Sequence, residues 1–182
     1  EKKLKNELKR IKDLSVKNKN IKNLEIIISE YEEAYLYCGL LVPVLQNNIE
    51  NYKCYFLDES GYIFDEAPYF SGNVYFKFYG DSKIKKDNPM GFYFLKERFL
   101  KLTQLKRNIE KMGLKPVAFW FDEEKNIGNF SLLGEPKQSP YITFKIDSDY
   151  QKLAENLQAA ISTEPLKTEL STKISSLLYL DL

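Results

Sequence analysis

Apolar residues recur at every second position through much of this chain and at every third or fourth in only a few windows, which predicts strands carrying a small number of helices. Leu4, Leu8 and Ile11 fall at helical spacing and predict the end of an amphipathic helix over 1–11. Leu14, Ser15 and Val16 predict a short strand, and Asn18, Lys19 and Asn20 a turn. A longer strand follows, with Leu24, Ile26 and Ile28 as its core-facing residues and Glu25 on its other face. Residues 30–37 read as extended, and 39–51 as a connector. An aromatic-rich strand from Cys54 then enters a turn at Asp58-Glu59-Ser60-Gly61, where Gly61 supplies a positive φ, and the returning strand stops at Pro68. Residues 74–79 predict a strand with aromatic side chains on both faces.

In the second half, Leu95, Phe99, Leu102, Leu105, Ile109 and Met112 predict a helix closed by Gly113. Residues 117–121 and 127–133 predict two strands around an acidic turn, and 141–146 a third. A helix from Ser148, with Gln151 completing a capping box, is expected to bury Tyr150, Leu153, Leu157 and Ile161. Pro165 opens an expected third helix through Ile174, and 177–182 reads as a strand. The order predicts an α+β fold, a mostly antiparallel sheet with two or three helices.

The chain has 182 residues, 43% of them hydrophobic, with 13 Tyr and 12 Phe, which supports a sizeable core built on strands. The net charge of +1 selects neither nucleic acid nor an anionic surface for the chain as a whole. Residues 1–22 nevertheless hold nine Lys/Arg against Glu1, Glu7 and Asp13, a local +6 that leaves −5 on the rest. Such an arm either contacts anionic headgroups or is a solvated helix end and strand. No apolar run approaches the about 20 residues of a membrane span.

There is no histidine, which excludes Ser-His-Asp and Cys-His nucleophilic catalysis within the chain. Two cysteines do not complete a structural zinc tetrahedron. Asp147-Ser148-Asp149 begins like a calcium loop, but Lys152 stands where the loop needs Gly and Gln158 where it needs an acid, so helix capping is the better reading. Acids at Asp58-Glu59, Asp65-Glu66 and Asp122-Glu123-Glu124 are candidates for a general acid/base pair, or are solvated turn residues. Lys77 between Phe76 and Phe78 invites a base-stacking reading, but the strand lacks the glycines and basic start of an RNA-binding motif. Trp120 reads as core.

The helix, Leu14-Ser15-Val16, the turn and Leu24-Glu25-Ile26-Ile27-Ile28-Ser29-Glu30 together resemble the end of a POTRA module. Asp58 to Phe64, followed by Ala67-Pro68, is similar to the opening of the β-domain of the bacterial cell-division family FtsQ/DivIB. Tyr179-Leu180-Asp181-Leu182 resembles a late strand of that domain. The resemblance divides the chain into 1–37, the C-terminal part of a POTRA-like module, and 38–182, an FtsQ-like β-domain lacking its last strands. Asp58 and Gly61 are then structural turn residues.

What the resemblance implies is a non-enzymatic scaffold without cofactor, metal, nucleic acid or small-molecule substrate. It implies a single-pass anchor outside this segment, with the segment itself on the extracytoplasmic side of the cytoplasmic membrane. The implied partners are FtsB/DivIC-like and FtsL-like division proteins, held at the septum by β-strand addition. Tyr179, Leu180, Asp181 and Leu182 start the partner-binding region, most of which is expected beyond Leu182. On that side of the membrane Cys38 and Cys54, if on neighbouring strands, form a disulfide or remain two buried thiols. The alternatives are a POTRA-type chaperone or secretion module binding client strands, and an extracytoplasmic carboxylate hydrolase.

Overall fold

The structure, a computed structural model, describes residues 2–20, 22–42, 53–133, 140–164, 168 and 179–182. It is an α+β fold in which a small hairpin sheet precedes a large mixed sheet. Helix α1 (Lys2–Glu7) leads into β1 (Ile11–Asn20), which pairs antiparallel with β2 (Asn23–Glu30). Ile11 therefore opens a strand rather than closing the expected helix. The strand also runs through the expected Asn18-Lys19-Asn20 turn, and the chain reverses next to Asn20, whose side chain accepts from the Lys22 N–H.

The large sheet has the order β10-β9-β8-β7-β6-β3-β4-β5. Its members are β3 (Tyr35–Tyr37), β4 (Cys54–Leu57), β5 (Ile63–Ala67), β6 (Lys77–Tyr79), β7 (Ala118–Asp122), β8 (Ile127–Ser131), β9 (Tyr141–Lys145) and β10 (Tyr179–Asp181). Two antiparallel meanders, β3-β4-β5 and β7-β8-β9, flank β6, which runs parallel to both of its neighbours. Because β3 is a strand of the large sheet, the two sheets divide at 31–34. Helix α2 (Phe99–Lys111) connects β6 to β7, and α3 (Tyr150–Ile161) follows β9. The parallel neighbours need such crossovers. The expected third helix over 165–174 lies outside the described residues apart from Thr168.

Period-two alternation sends side chains to two cores. Phe78, Phe119, Phe130, Ile142 and Phe144 pack beneath Phe99, Leu102, Leu105 and Ile109 of α2 and Leu153 and Leu157 of α3. Leu36, Phe56, Phe64, Tyr79 and Trp120 form the opposite face, covered by Val42, Phe70, Tyr75 and Tyr31 from connecting segments. Trp120 is thus core, as expected. Helix α2 begins at Phe99 rather than at Leu95, whose backbone has φ +40°. Its end matches the glycine signal, Gly113 at φ +87° donating to the Glu110 carbonyl. The α3 N-cap is Asp149 rather than Ser148, its carboxylate accepting from Gln151 and Lys152 N–H groups.

Arg10 fastens the hairpin to the sheet. Its guanidinium donates to Glu30, Glu33 and Asp65 at 2.9, 2.7 and 2.8 Å, and those hydrogen bonds raise its pKa further. Tyr31 stacks on Phe64 beside it.

Burial raises the pKa of the Tyr37 phenol, and pushes that of Tyr150 up to about 12 despite nearby Arg98. The unfolded chain ionises these groups near their ordinary value of 10.0 while the fold holds them neutral, so the stability is complete below pH 10 and falls as pH rises towards 12. Thermal melts across that window are expected to show the decline, and Tyr150→Phe to lessen its slope.

Candidate functional site: the strand edges and the cysteine pair

A sheet edge is the part of this fold with unspent backbone hydrogen-bonding capacity, and the two ends of the large sheet differ in how much of it is used. At one end, β5 is guarded. The segment 91–94 covers its start, with Ile63 donating to the Phe92 carbonyl, Gly91 to that of Ile63, and Phe94 to that of Gly61. Further along, Asp65 is clamped by Arg10, Glu66 is paired with Lys53, and Pro68 ends the strand.

At the other end, β10 pairs parallel with β9 in the register Tyr179–Tyr141, Leu180–Ile142 and Asp181–Thr143. Leu182 donates its N–H to the Thr143 carbonyl. By strand alternation the N–H and C=O of Asp181 point away from β9, and no described strand lies on that side. Leu180 and Leu182 pack partly against the helix-side core, whereas Asp181 is exposed. Of the four residues singled out in the sequence, Tyr179, Leu180 and Asp181 therefore form one edge strand of this sheet among the described residues, and Leu182 follows it. The expectation that most of the edge lies past Leu182 concerns residues outside the chain.

Asp58 and Gly61 build the β4–β5 turn. One Asp58 carboxylate oxygen accepts from the Ser60 N–H, the Ser60 hydroxyl and the Tyr62 N–H, which is the Asx-turn chemistry its position suggested. Gly61 sits at φ +84°, and a Cβ there would lie 2.7 Å from the Phe99 ring. The turn thus needs glycine twice, for its backbone and for the helix packed on it.

Cys38 and Cys54 form a disulfide between β3 and β4, their Cα atoms 4.2 Å apart. They extend the β3–β4 register by one residue beyond Tyr37–Tyr55, which brings them opposite each other.

Leu24, Ile26 and Ile28, expected as a strand core, are instead 59, 55 and 52% exposed. They share a face with Leu14 and Val16, and among the described residues nothing covers it. A two-stranded sheet has no second layer of its own, so alternation identified the face without supplying its partner.

Of the candidate acids, Asp65 meets Glu30 and Glu33 around the Arg10 guanidinium, and the rest lie apart. Glu59 is solvent-facing and approaches Arg107, Asp122 pairs with Lys125, and Glu123 accepts from the Ser82 N–H. The cleft of about 570 Å³ between α2 and α3 is lined by one carboxylate, Glu155. No group of three His, Cys, Asp or Glu fit to hold a metal occurs among the described residues, nor any helix long and apolar enough to cross a membrane. Lys77 lies half-buried in β6. The Arg10 cluster gave no advance signal, because its three acids come from separate segments. The meeting of Tyr62 with Tyr31 and Tyr93, at 4.6 and 5.0 Å between ring centroids, was equally unforeseen.

These features define an α+β protein whose large mixed sheet has, among the described residues, one guarded and one open edge. No family model matches the sequence, and no curated protein matches it.

Gly61→Ala is expected to destabilise the fold by about 2–4 kcal/mol, from left-handed strain and overpacking against Phe99, measured by urea unfolding. Replacing both cysteines with Ser is expected to cost about 3 kcal/mol, or roughly 6–12 °C in melting temperature, through the loop they close. Unreduced protein alkylated under denaturing conditions should take no label. Label on both cysteines would contradict the bond.

Proposed function

We propose that this protein is a non-enzymatic extracytoplasmic scaffold of the FtsQ/DivIB type, which receives a strand of an FtsB/DivIC-like division protein along β10. The observation that carries this reading is the contrast between the two edges. One is closed by a crossing segment, an arginine clamp and a proline, while the other, among the described residues, presents outward N–H and C=O groups beside a half-buried Leu180. Main-chain hydrogen bonds would supply affinity there, and the side chains alternating about Asp181 would set register. The Cys38–Cys54 disulfide supports an oxidising compartment. The succession of hairpin sheet, guarded β4–β5 hairpin and terminal strand supports the resemblance in the sequence.

The test is amide hydrogen exchange on the 182-residue chain, with and without the extracytoplasmic part of the FtsB/DivIC-like protein of the same organism. Protection is expected at the Tyr179 and Asp181 amides. Asp181→Pro removes an outward donor and leaves the β9 ladder intact, so it should weaken binding at least about tenfold without moving the melting temperature. Unchanged binding by Asp181→Pro, or protection confined to other strands, overturns the reading.

A further inference from the structure

We propose that the apolar face of the β1–β2 hairpin docks on an anionic lipid bilayer. In the hairpin register Leu14 lies opposite Ile28, Val16 opposite Ile26, and Asn18 opposite Leu24, so five aliphatic side chains occupy one face. Ser15, Lys17, Glu25 and Ser29 alternate onto the other, with Ile27 their one apolar companion. The first face is as apolar as a core layer, yet Leu24, Ile26 and Ile28 keep more than half of their surface in water and Val16 keeps 40%. Patches of this kind on a folded chain mark interaction sites.

Charge identifies the occupant. Residues 1–22 carry a local +6, which Glu25 and Glu30 of β2 lower to +4 over α1 and the hairpin, and the exposed Lys12 at the β1 bulge and Lys22 in the turn stand at the two ends of the strand pair, with Lys3 on α1. A second copy of the chain would bring two such arms together, so like-charge repulsion opposes self-pairing. A protein partner is also a poorer match. Interface anchors are enriched in aromatic residues and Arg, whereas this face has no aromatic residue, and the nearby Arg10 is committed to three carboxylates. Aliphatic side chains backed by long, flexible lysines suit the boundary between headgroup and acyl chain, where the stems lie along the apolar layer and the ammonium groups reach phosphate. Each basic side chain at an anionic surface multiplies binding by about fivefold. The inference stands on the hairpin and its charge, independently of strand capture at β10.

Sedimentation of the 182-residue chain with vesicles tests it. Binding is expected to phosphatidylcholine vesicles containing phosphatidylglycerol and not to phosphatidylcholine alone. Ile26→Ser with Ile28→Ser changes two exposed side chains and should lower the partition coefficient about tenfold or more. Lys12→Glu with Lys22→Glu should do the same. Three results overturn the proposal: no binding to the anionic vesicles; binding that Ile26→Ser with Ile28→Ser leaves intact, or that polyglutamate reproduces, so that charge alone acts; or a dimer in lipid-free sedimentation equilibrium that the same serine pair dissociates, so that a second copy covers the face. Binding of the serine pair to the FtsB/DivIC-like partner should match the unaltered chain, so this inference and the division reading fail separately.

Discussion

Phe78 is the residue around which the large sheet is organised. It lies on the central strand β6, fully buried, with the rings of Phe99, Phe94 and Phe119 at 5.1, 5.2 and 5.9 Å and Tyr35 at 5.5 Å. These partners come from β3, the 91–94 segment, α2 and β7, so one set of ring contacts joins both meanders to the helix above them. A dense aromatic layer of this kind tolerates little change in volume. The same packing reaches the β4–β5 turn, since Phe99 leaves room for no side chain larger than hydrogen at Gly61.

With the helix-side core fixed at the centre of the sheet, the ends differ for physical reasons. Phe94 is drawn down onto Phe78, and the segment carrying it runs antiparallel along the start of β5. Burial of one aromatic ring thus closes one edge. Arg10 reinforces that closure from outside by tying Asp65 to Glu30 and Glu33, and so sets how the hairpin sits against the sheet. At the far end β10 packs only Leu180 and Leu182 inward, and its outer backbone has no comparable cover among the described residues. An open edge beside a well-packed core suits recruitment of a strand without disturbing the fold that presents it.

Several carboxylates cap turns and helices: Asp58 closes a turn, Asp149 caps α3, and the buried Asp81 accepts from Lys83 and Leu95 N–H groups. These are structural uses of charge at elements that need an acceptor.

Much of the architecture was legible in local signals. The β4–β5 hairpin, with Asp58, Gly61 and Pro68, was readable because each residue has a short-range conformational reason to be there. The body of α2, the Gly113 terminus, the β7–β8–β9 meander and the α+β class followed from hydrophobic period in the same way. Boundaries failed where tertiary contacts outweighed propensity: Leu95 was pulled out of α2, Ile11 was turned into a strand, and Asp149 displaced Ser148 as the α3 cap. Alternation marked Leu24, Ile26 and Ile28 as one face, but burial belongs to whatever packs on a face, and only the three-dimensional arrangement exposed these residues to solvent. The Cys38–Cys54 bond, the Arg10 clamp and the contrast between the β5 and β10 edges were decided by tertiary structure alone. Each depends on which strands become neighbours, and non-local pairing leaves no periodic trace in the order of residues along a chain.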